Sequence, residues 1–397
     1  MKITYEENIL ETKPGTRVNE LLAQEIEQAP VQIIACKINN EIKRLNHILE
    51  ADCDLELINI GTKDGMRIYR RGLIYIVTKA FSEVYPESLF RVNYQLHHAL
   101  LCEIDNMEIT EEVVEKVNNR VQEIIAEDLP IIRRTMTKQE ATEFYEKEKT
   151  LKGILQLCAK DKSEITLYYC EDYYNYFYGI LPVSTGYIKQ YELKKYHDGF
   201  LIRFPSSKSP TVLDEFKASP KLLETLDQHE DVHKILNLDT LYKLNKSIRE
   251  EKIRETILLD EALQEKNLVG IADSIVANKD IKVVLIAGPS SSGKTTFSKR
   301  LEIQLKLNKI SPLTISVDNY FVPRDETPLG EDGKFDFESI RAVNTELLNE
   351  HLLKLLNGDE IEAPTYNFHT RTNRIQRQHN EVRRRTSFSN GRNPLLK

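Results

Sequence analysis

The sequence predicts a chain of several domains, α+β over its first half and α/β towards its end. Three observations carry this expectation. The length of 397 residues is enough for about two to four ordinary domains with sizeable buried cores. Strand-like runs mix with amphipathic helical spacing over residues 1–217, and a charged helical stretch, 218–280, sets them apart from the C-terminal block. From Ile281 the pattern becomes strand, turn, helix, strand around Gly288-Pro-Ser-Ser-Ser-Gly293-Lys294-Thr295.

Composition narrows the classes. A net charge of −7 argues against a dedicated nucleic-acid-binding surface overall, though not against a local basic patch. Met1-Lys-Ile-Thr-Tyr-Glu-Glu carries acids where a secretory leader needs an apolar core. No uncharged apolar window of about 18 residues is present, so no membrane span is expected. The five cysteines, Cys36, Cys53, Cys102, Cys158 and Cys170, are odd in number and form no CxxC pair. They read as reduced thiols in a cytoplasmic protein.

Residues 1–62 are expected to form a small β-rich unit. Ile3-Thr-Tyr, Ile33 to Ile38 and Leu55 to Ile60 are strand-like, Val18 to Gln28 has helical spacing, and Pro14-Gly15-Thr16 supplies a turn before it. This order resembles the β-grasp TGS domain at the front of threonyl-tRNA synthetases.

Residues 63–217 read as an α+β block. Met66 to Tyr85 and Glu111 to Glu127 are amphipathic helices stopped ahead of Pro86 and Pro130. Ile165 to Cys170 is strand-like, and Tyr173 to Tyr178 is an aromatic patch. Such a patch either stacks single-stranded RNA bases or fills a sheet core, and core filling is the simpler expectation. The adjacent His97 and His98 would face opposite ways on a strand and could not chelate one ion from a single face.

This block resembles the second additional, or editing, domain of threonyl-tRNA synthetases. That family carries HxxxH in the first helix and Cys-x3-His in a late loop. In the best ungapped match Arg71 and Tyr75 take the helix positions, and Phe177 and Leu181 the loop positions. None of these four is a metal ligand or general base, so no editing chemistry is expected.

Residues 218–280 read as a helical connector with apolar positions at Leu222, Leu223, Leu226, Ile235, Leu238, Leu241, Leu244, Ile248, Ile253, Ile257 and Leu258, expected to pack between domains. His229-Glu230-Asp231-Val232-His233 satisfies HExxH, with which a helix can bind zinc. No third histidine follows at the usual spacing, although Glu250 and Glu251 lie where a third ligand could come from. A short pattern of this kind arises easily in a Glu-rich chain, and a surface helix is the expectation.

The last block, 281–397, starts with an apolar run, Ile281 to Ala287, expected as a strand, and a helix from Thr295 to about Leu307. Between them the GxxxxGK[ST] pattern stands in the context of a phosphate-binding loop. Gly288, Ser290, Ser291, Ser292, Gly293, Lys294, Thr295 and Thr296 are the candidate ATP-binding residues. Backbone N–H groups and the helix N-terminus suit phosphates. Lys294 would reach the β- and γ-phosphates, and the Thr295 hydroxyl would ligate Mg²⁺. Leu313 to Val317 is expected as a second strand with Asp318 at its carboxyl end, where parallel sheets bind ligands.

Asp318-Asn-Tyr-Phe321 resembles a motif of the uridine kinase and phosphoribulokinase family. The resemblance implies that Asp318 accepts the proton of the hydroxyl being phosphorylated, with Lys294 as the second catalytic residue. Asp332-Gly-Lys-Phe-Asp336-Phe-Glu resembles the loop whose aspartate holds the sugar hydroxyls. Ala363-Pro-Thr-Tyr366-Asn-Phe368 resembles the segment whose aromatic residues flank the base. Asp336, Tyr366 and Phe368 are thereby the candidate substrate residues. Asn367 stands where that family has an aspartate and Arg371 where it has a histidine, with His369 nearby off register. Between these segments, Ser339 is expected to cap a helix running to about Leu356 and ended by Gly358.

Residues 370–397 change character, with seven arginines, one lysine and the single acid Glu381. No apolar run long enough for a strand is visible. The strand ending in a Walker-B-like carboxylate and the Arg-bearing lid that the resemblance implies are missing. A frame change near codon 370 would account for such a tail, and a functional basic tail for RNA or an acidic partner is the alternative. A sheet without its later strands would leave the loop-bearing strand at an edge.

The residues support two readings. One is an ATP- and Mg²⁺-dependent nucleoside kinase acting on the 5′-hydroxyl of a uridine- or cytidine-like substrate, with activity impaired by the short C-terminal block. The other is an ATP-binding, RNA- or translation-associated binding protein without catalysis. Nothing in the sequence fixes the oligomeric state.

Overall fold

The computed structural model describes residues 1–105, 107–147, 157, 163–289, 291–330, 333–367, 372–379 and 395–396, with backbone alone for 147, 367, 372–379 and 395–396. Two compact units divide the chain: Met1–Asp231 with Leu238–Lys246, and Val232–Asn237 with Ser247–Lys397.

The first unit begins with a five-stranded sheet. Its strands are β1 (Lys2–Tyr5), β2 (Asn8–Glu11), β3 (Ile33–Ile38), β4 (Glu41–Lys43) and β5 (Cys53–Asn59), in the order β2-β1-β5-β3-β4. β1 and β5 run parallel at the centre, and the other pairs are antiparallel. The stretch expected as one helix over 18–28 is two, α1 (Val18–Leu21) and α2 (Ala23–Gln28), because Leu22 leaves helical geometry at φ −115° and ψ 36°. Leu22 is thereby free to bury with Ile3, Val18, Ile33, Cys36 and Leu55.

The next block is built on α3 (Lys63–Val84), which opens where Thr62 Oγ1 accepts the Gly65 N–H at 3.0 Å. Its buried residues, among them Ile68, Leu73, Ile76 and Ala80, pack with Val117, Val121 and Ile124 of α4 (Glu111–Ala126) and with Phe200 and Ile202. A Cβ at Gly72 would lie 2.7 Å from Pro182 Cγ, so this helix approaches the 180–188 segment as only a glycine allows. Two antiparallel sheets flank the helices. One has the order β11-β12-β7-β6, from β6 (Phe90–Leu96), β7 (Ala99–Ile104), β11 (Glu192–Tyr196) and β12 (Gly199–Arg203). The other is β10-β9-β8, from β8 (Ile132–Thr137), β9 (Glu164–Cys170) and β10 (Tyr173–Tyr176); α5 (Lys138–Lys147) follows β8. His97 and His98 do not sit on a strand. They form the exposed turn between β6 and β7, with His97 at φ +53°.

The connector is three helices, α6 (Pro220–Leu236), α7 (Leu241–Arg249) and α8 (Ile253–Ala277). The expected packing positions divide sharply. Leu223 is buried with Leu96, Leu101 and Leu201, whereas Leu222, Ile235, Leu241, Ile248, Ile257 and Leu258 are exposed. The apolar positions that bury on α8 are later ones, Leu268, Ala272 and Ile275, which pack against Leu301 and Leu305 of α9 (Lys294–Leu307).

In the second unit the expected strands shorten to β13 (Val283–Val284) and β14 (Leu313–Thr314). Both pair in parallel with β17 (Leu395–Leu396), in the order β13-β17-β14. A two-residue partner pairs only two residues on each side, which limits both strands. The tail thus contributes strand structure where none was expected: β17, and β16 (Thr372–His379), which pairs antiparallel with β15 (Glu362–Asn367). Backbone pairing supplies these strands without an apolar run. Among the described residues β13 lies at the edge of its sheet, and Leu285 just beyond it is 79 % exposed. Ser339 caps only a 3₁₀ turn, Ile340–Ala342. The extended Val343 bridges Phe321, and α10 (Thr345–Asn357) starts anew at Asn344, whose Oδ1 accepts the Leu347 N–H at 3.0 Å. Gly358, in the left-handed region at φ +89°, ends it.

Candidate active site

The phosphate-loop candidate joins β13 to α9. Gly293, the residue before the helix, has φ +85°, a conformation costly for any side chain, and Ser291 also lies in the left-handed region at φ +60°. A Cβ on Gly288 would come within 2.7 Å of Ser292 Oγ, so the loop closes on itself there. Lys294 Nζ donates to the Gly288 and Pro289 carbonyls at 2.7 and 2.8 Å. Thr295 and Thr296 lie exposed in the first turn of α9. Ser290 lies outside the described residues. The donor set suits a polyphosphate: a helix N-terminus, the Lys294 ammonium and a first-turn hydroxyl that would hold a divalent cation.

Asp318 is not directly at the strand end. It is exposed on a 3₁₀ turn, Val317–Tyr320, beyond β14. Because β13 and β14 both run parallel to β17, the loop and this turn leave the same, carboxyl, end of the strands. The turn is braced from behind. Buried Tyr320 places its hydroxyl 3.0 Å from His351 Nδ1 on α10. The Asn344 N–H donates to the Tyr320 carbonyl at 2.8 Å, and the Val322 N–H to Ala342 at 2.9 Å. Burial lowers the His351 pKa and raises that of Tyr320, so the pair is a neutral one.

Next to the turn stands a cluster of aromatic rings. Phe321 lies 5.7 Å from Tyr366 and 6.4 Å from Phe337, and Phe337 is 6.3 Å from Phe335. The Arg324 guanidinium covers Phe335 at 5.0 Å. Asp336 is half-buried: its N–H donates to Pro328 O at 2.8 Å, and its Oδ1 accepts the Glu338 N–H at 3.0 Å. Tyr366, expected to flank a base, is only 6 % exposed and packs behind Phe321. The accessible rings of the cluster are Phe335 and Phe337. Phe368, His369 and Arg371 lie outside the described residues. The sequence reading missed Phe321, Tyr320 and His351. The helix expected from Ser339 to about Leu356 does contain His351, but its spacing gave no sign of the contact with Tyr320.

The editing-like positions do converge. Tyr75 is fully buried, its ring 5.7 Å from Phe177, with Leu181 in the same cluster. Its hydroxyl donates towards the Tyr168 and Tyr173 carbonyls at 3.1 and 3.3 Å. A Cβ on Gly179 would meet Arg71 Nη1 at 2.8 Å. Rings therefore fill the space where the resemblance puts metal ligands. Among the described residues no group of three His, Cys, Asp or Glu is placed to hold a metal ion. On α6, Glu230 of the HExxH pattern lies 3.5 Å from Arg91 Nη2, which opposes its use as a base. The tyrosine patch mostly fills core: Tyr173 donates to Thr78 Oγ1 at 2.9 Å, and Tyr174 lies against Phe144 (4.4 Å) and Tyr169 (5.7 Å). Tyr178 is exposed. No helix among the described residues is long and apolar enough to cross a membrane.

Two kinds of known protein match different parts of the chain. Residues 283–386 match the sequence profile of the Phosphoribulokinase / Uridine kinase family. The N-terminal part is homologous to threonyl-tRNA synthetases. The threonine–tRNA ligase of Clostridioides difficile is 27 % identical over 138 residues, 34 % of this chain and 22 % of that protein. That of Symbiobacterium thermophilum is 23 % identical over 188 residues, 47 % and 29 % of the two chains. Threonine–tRNA ligase 1 of Bacillus subtilis is 24 % identical over 196 residues, 49 % and 30 %. The chain spans less than a third of the length of these relatives.

Proposed function

We propose that the second unit transfers the γ-phosphoryl group of ATP to the 5′-hydroxyl of a uridine- or cytidine-like nucleoside. The observation that carries this reading is that a phosphate loop after β13 and a carboxylate turn after β14 leave the same carboxyl end of the strands, inside the segment matched by the kinase family. Lys294 and the α9 N-terminus hold the β- and γ-phosphates, and Thr295 holds Mg²⁺, which supplies charge neutralisation when bound. Asp318 takes the proton of the attacking hydroxyl as the new O–P bond forms, and ADP departs with the electron pair of the bond that breaks. Asp336 engages the sugar hydroxyls. The base lies on the exposed rings Phe335 and Phe337, with Tyr366 supporting Phe321 behind them, and Phe368 completes the base site.

The test is Asp318→Asn in the full chain. Turnover of ATP with uridine or cytidine is expected to fall at least about 10²-fold, the scale of a lost general base, with ATP affinity nearly unchanged. Normal turnover in this variant would remove Asp318 from the reaction.

A second reading is favoured by one observation, the threonine–tRNA ligase likeness of the N-terminal part: the first unit engages RNA or a translation component and the nucleotide site acts as a sensor. RNA affinity that falls steeply with salt is its expected signature, and no RNA binding at low salt would end it.

A further inference from the structure

The first unit holds a buried cation, Arg44, that pairs with no carboxylate among the described residues. Arg44, just after β4, is 8 % exposed. Its Nε donates to the Leu181 carbonyl at 3.0 Å, and its Nη2 to the carbonyls of Ile131 and Pro182. Those bonds use three of the five N–H groups of the guanidinium. Nη1 has no acceptor among the described residues, yet it is not among the polar atoms sealed from solvent. Arg44 lines an open cleft of about 750 Å³ between the 38–53 segment and the 130–133 and 180–183 segments. This volume lies within the range of small-molecule sites.

A second guanidinium joins it. Arg133, exposed on β8, stands opposite Tyr168 in the β8–β9 ladder, and the Arg44 guanidinium lies 5.8 Å from the centre of the same ring. Burial first, and then the charge of Arg133, pull the Arg44 pKa down to about 10. Two cations held together in this way are relieved by a multivalent anion. Lys43 is paired with Glu41 at 2.7 Å, and the cleft also carries two carboxylates, Glu50 and Asp52, whose Oδ1 accepts the Lys2 backbone N–H at 2.8 Å. Glu50 and His47 complete the polar lining, while exposed Ile48, with Leu49 and Ile180, supplies an apolar wall.

We propose that this cleft is a second anion site, which takes a nucleotide: its phosphate on Arg44 Nη1 and Arg133, and its base against the wall of Ile48, Leu49 and Ile180. Guanidinium N–H donors suit the several oxygens of a phosphate, and Arg44 offers those of Nη1. The nucleotide is either free or the 5′-phosphorylated end of an RNA strand. This site is independent of the kinase reading.

The experiment uses the full chain carrying Lys294→Ala, which disables the phosphate loop of the second unit. Uridine 5′-monophosphate and a 5′-phosphorylated RNA pentanucleotide are titrated calorimetrically against their dephosphorylated counterparts. At least one phosphorylated probe is expected to bind about tenfold or more tighter than its counterpart, the scale of a charge-assisted contact. Arg133→Gln, at an exposed position, is expected to abolish that preference with the unfolding midpoint unchanged, and Arg133→Lys to keep part of it. A preference shown by both probes assigns the free nucleotide as sufficient, and one shown by the RNA alone assigns the strand end. Equal affinity with and without the phosphate, absence of binding by every probe, or a preference that survives Arg133→Gln overturns the proposal.

Discussion

At the residue scale, the side chain that braces the candidate base is as informative as the base. Tyr320 and His351 are both buried and meet at 3.0 Å directly behind the turn that carries Asp318. The charged neighbours of His351 act in opposite directions, Glu350 favouring its protonation and Lys354 opposing it, and burial is the largest effect. Its folded pKa is therefore depressed. The unfolded chain takes up the proton first as pH falls, so stability from this pair is complete above about pH 6.5 and declines as pH drops below it, until the folded pKa is passed. Unfolding of the second unit, followed by urea titration between about pH 5 and 7, is expected to show this slope. His351→Gln is expected to be less stable by about 1 kcal/mol or more at pH 7, with the slope reduced. An unaltered slope in that variant would show that another group titrates.

At the element scale, helices were the most legible part of the sequence, because their apolar spacing reports burial directly. α3 and α4 lie where the periodicity of Met66 to Tyr85 and Glu111 to Glu127 puts them. Strands with a solvated face were harder. β2 and β4 are short, polar hairpin partners, and β8, Ile-Arg-Arg-Thr-Met-Thr, is exposed over nearly its whole length. β6, β7, β11 and β12 were also not anticipated, although their pairing builds a whole sheet. Within the site, the Gly288 to Thr295 loop was legible because its spacing is a chemical requirement. The burial of Tyr366 was not, because it depends on the approach of Phe321 from 45 positions earlier in the chain (366 − 321). Two helical glycines give a contrasting prediction. Gly72→Ala on α3 would press a Cβ against Pro182 and is expected to destabilise the first unit by about 1–3 kcal/mol. Gly270→Ala on α8 meets nothing within 4 Å and is expected to stabilise its helix by about 0.5–1 kcal/mol. Chemical denaturation of each variant decides both signs.

At the scale of the whole molecule, the two units have separate cores. Calorimetry is expected to resolve two unfolding transitions. ATP with Mg²⁺ at a hundred times its Kd for the phosphate loop is expected to stabilise the second by about 2.7 kcal/mol, and Lys294→Ala to remove that shift. An unmoved second transition would remove the phosphate loop from ATP binding.

The grip of Lys294 on its own loop carries a further consequence. The ammonium already satisfies two carbonyl oxygens, at Gly288 and Pro289, so a phosphate must win it away from an internal rival. Apparent affinity is then the intrinsic affinity multiplied by the fraction of molecules in which the side chain is free. Strengthening that internal grip would make a given concentration of ATP count for less, without altering a single atom that touches the nucleotide base.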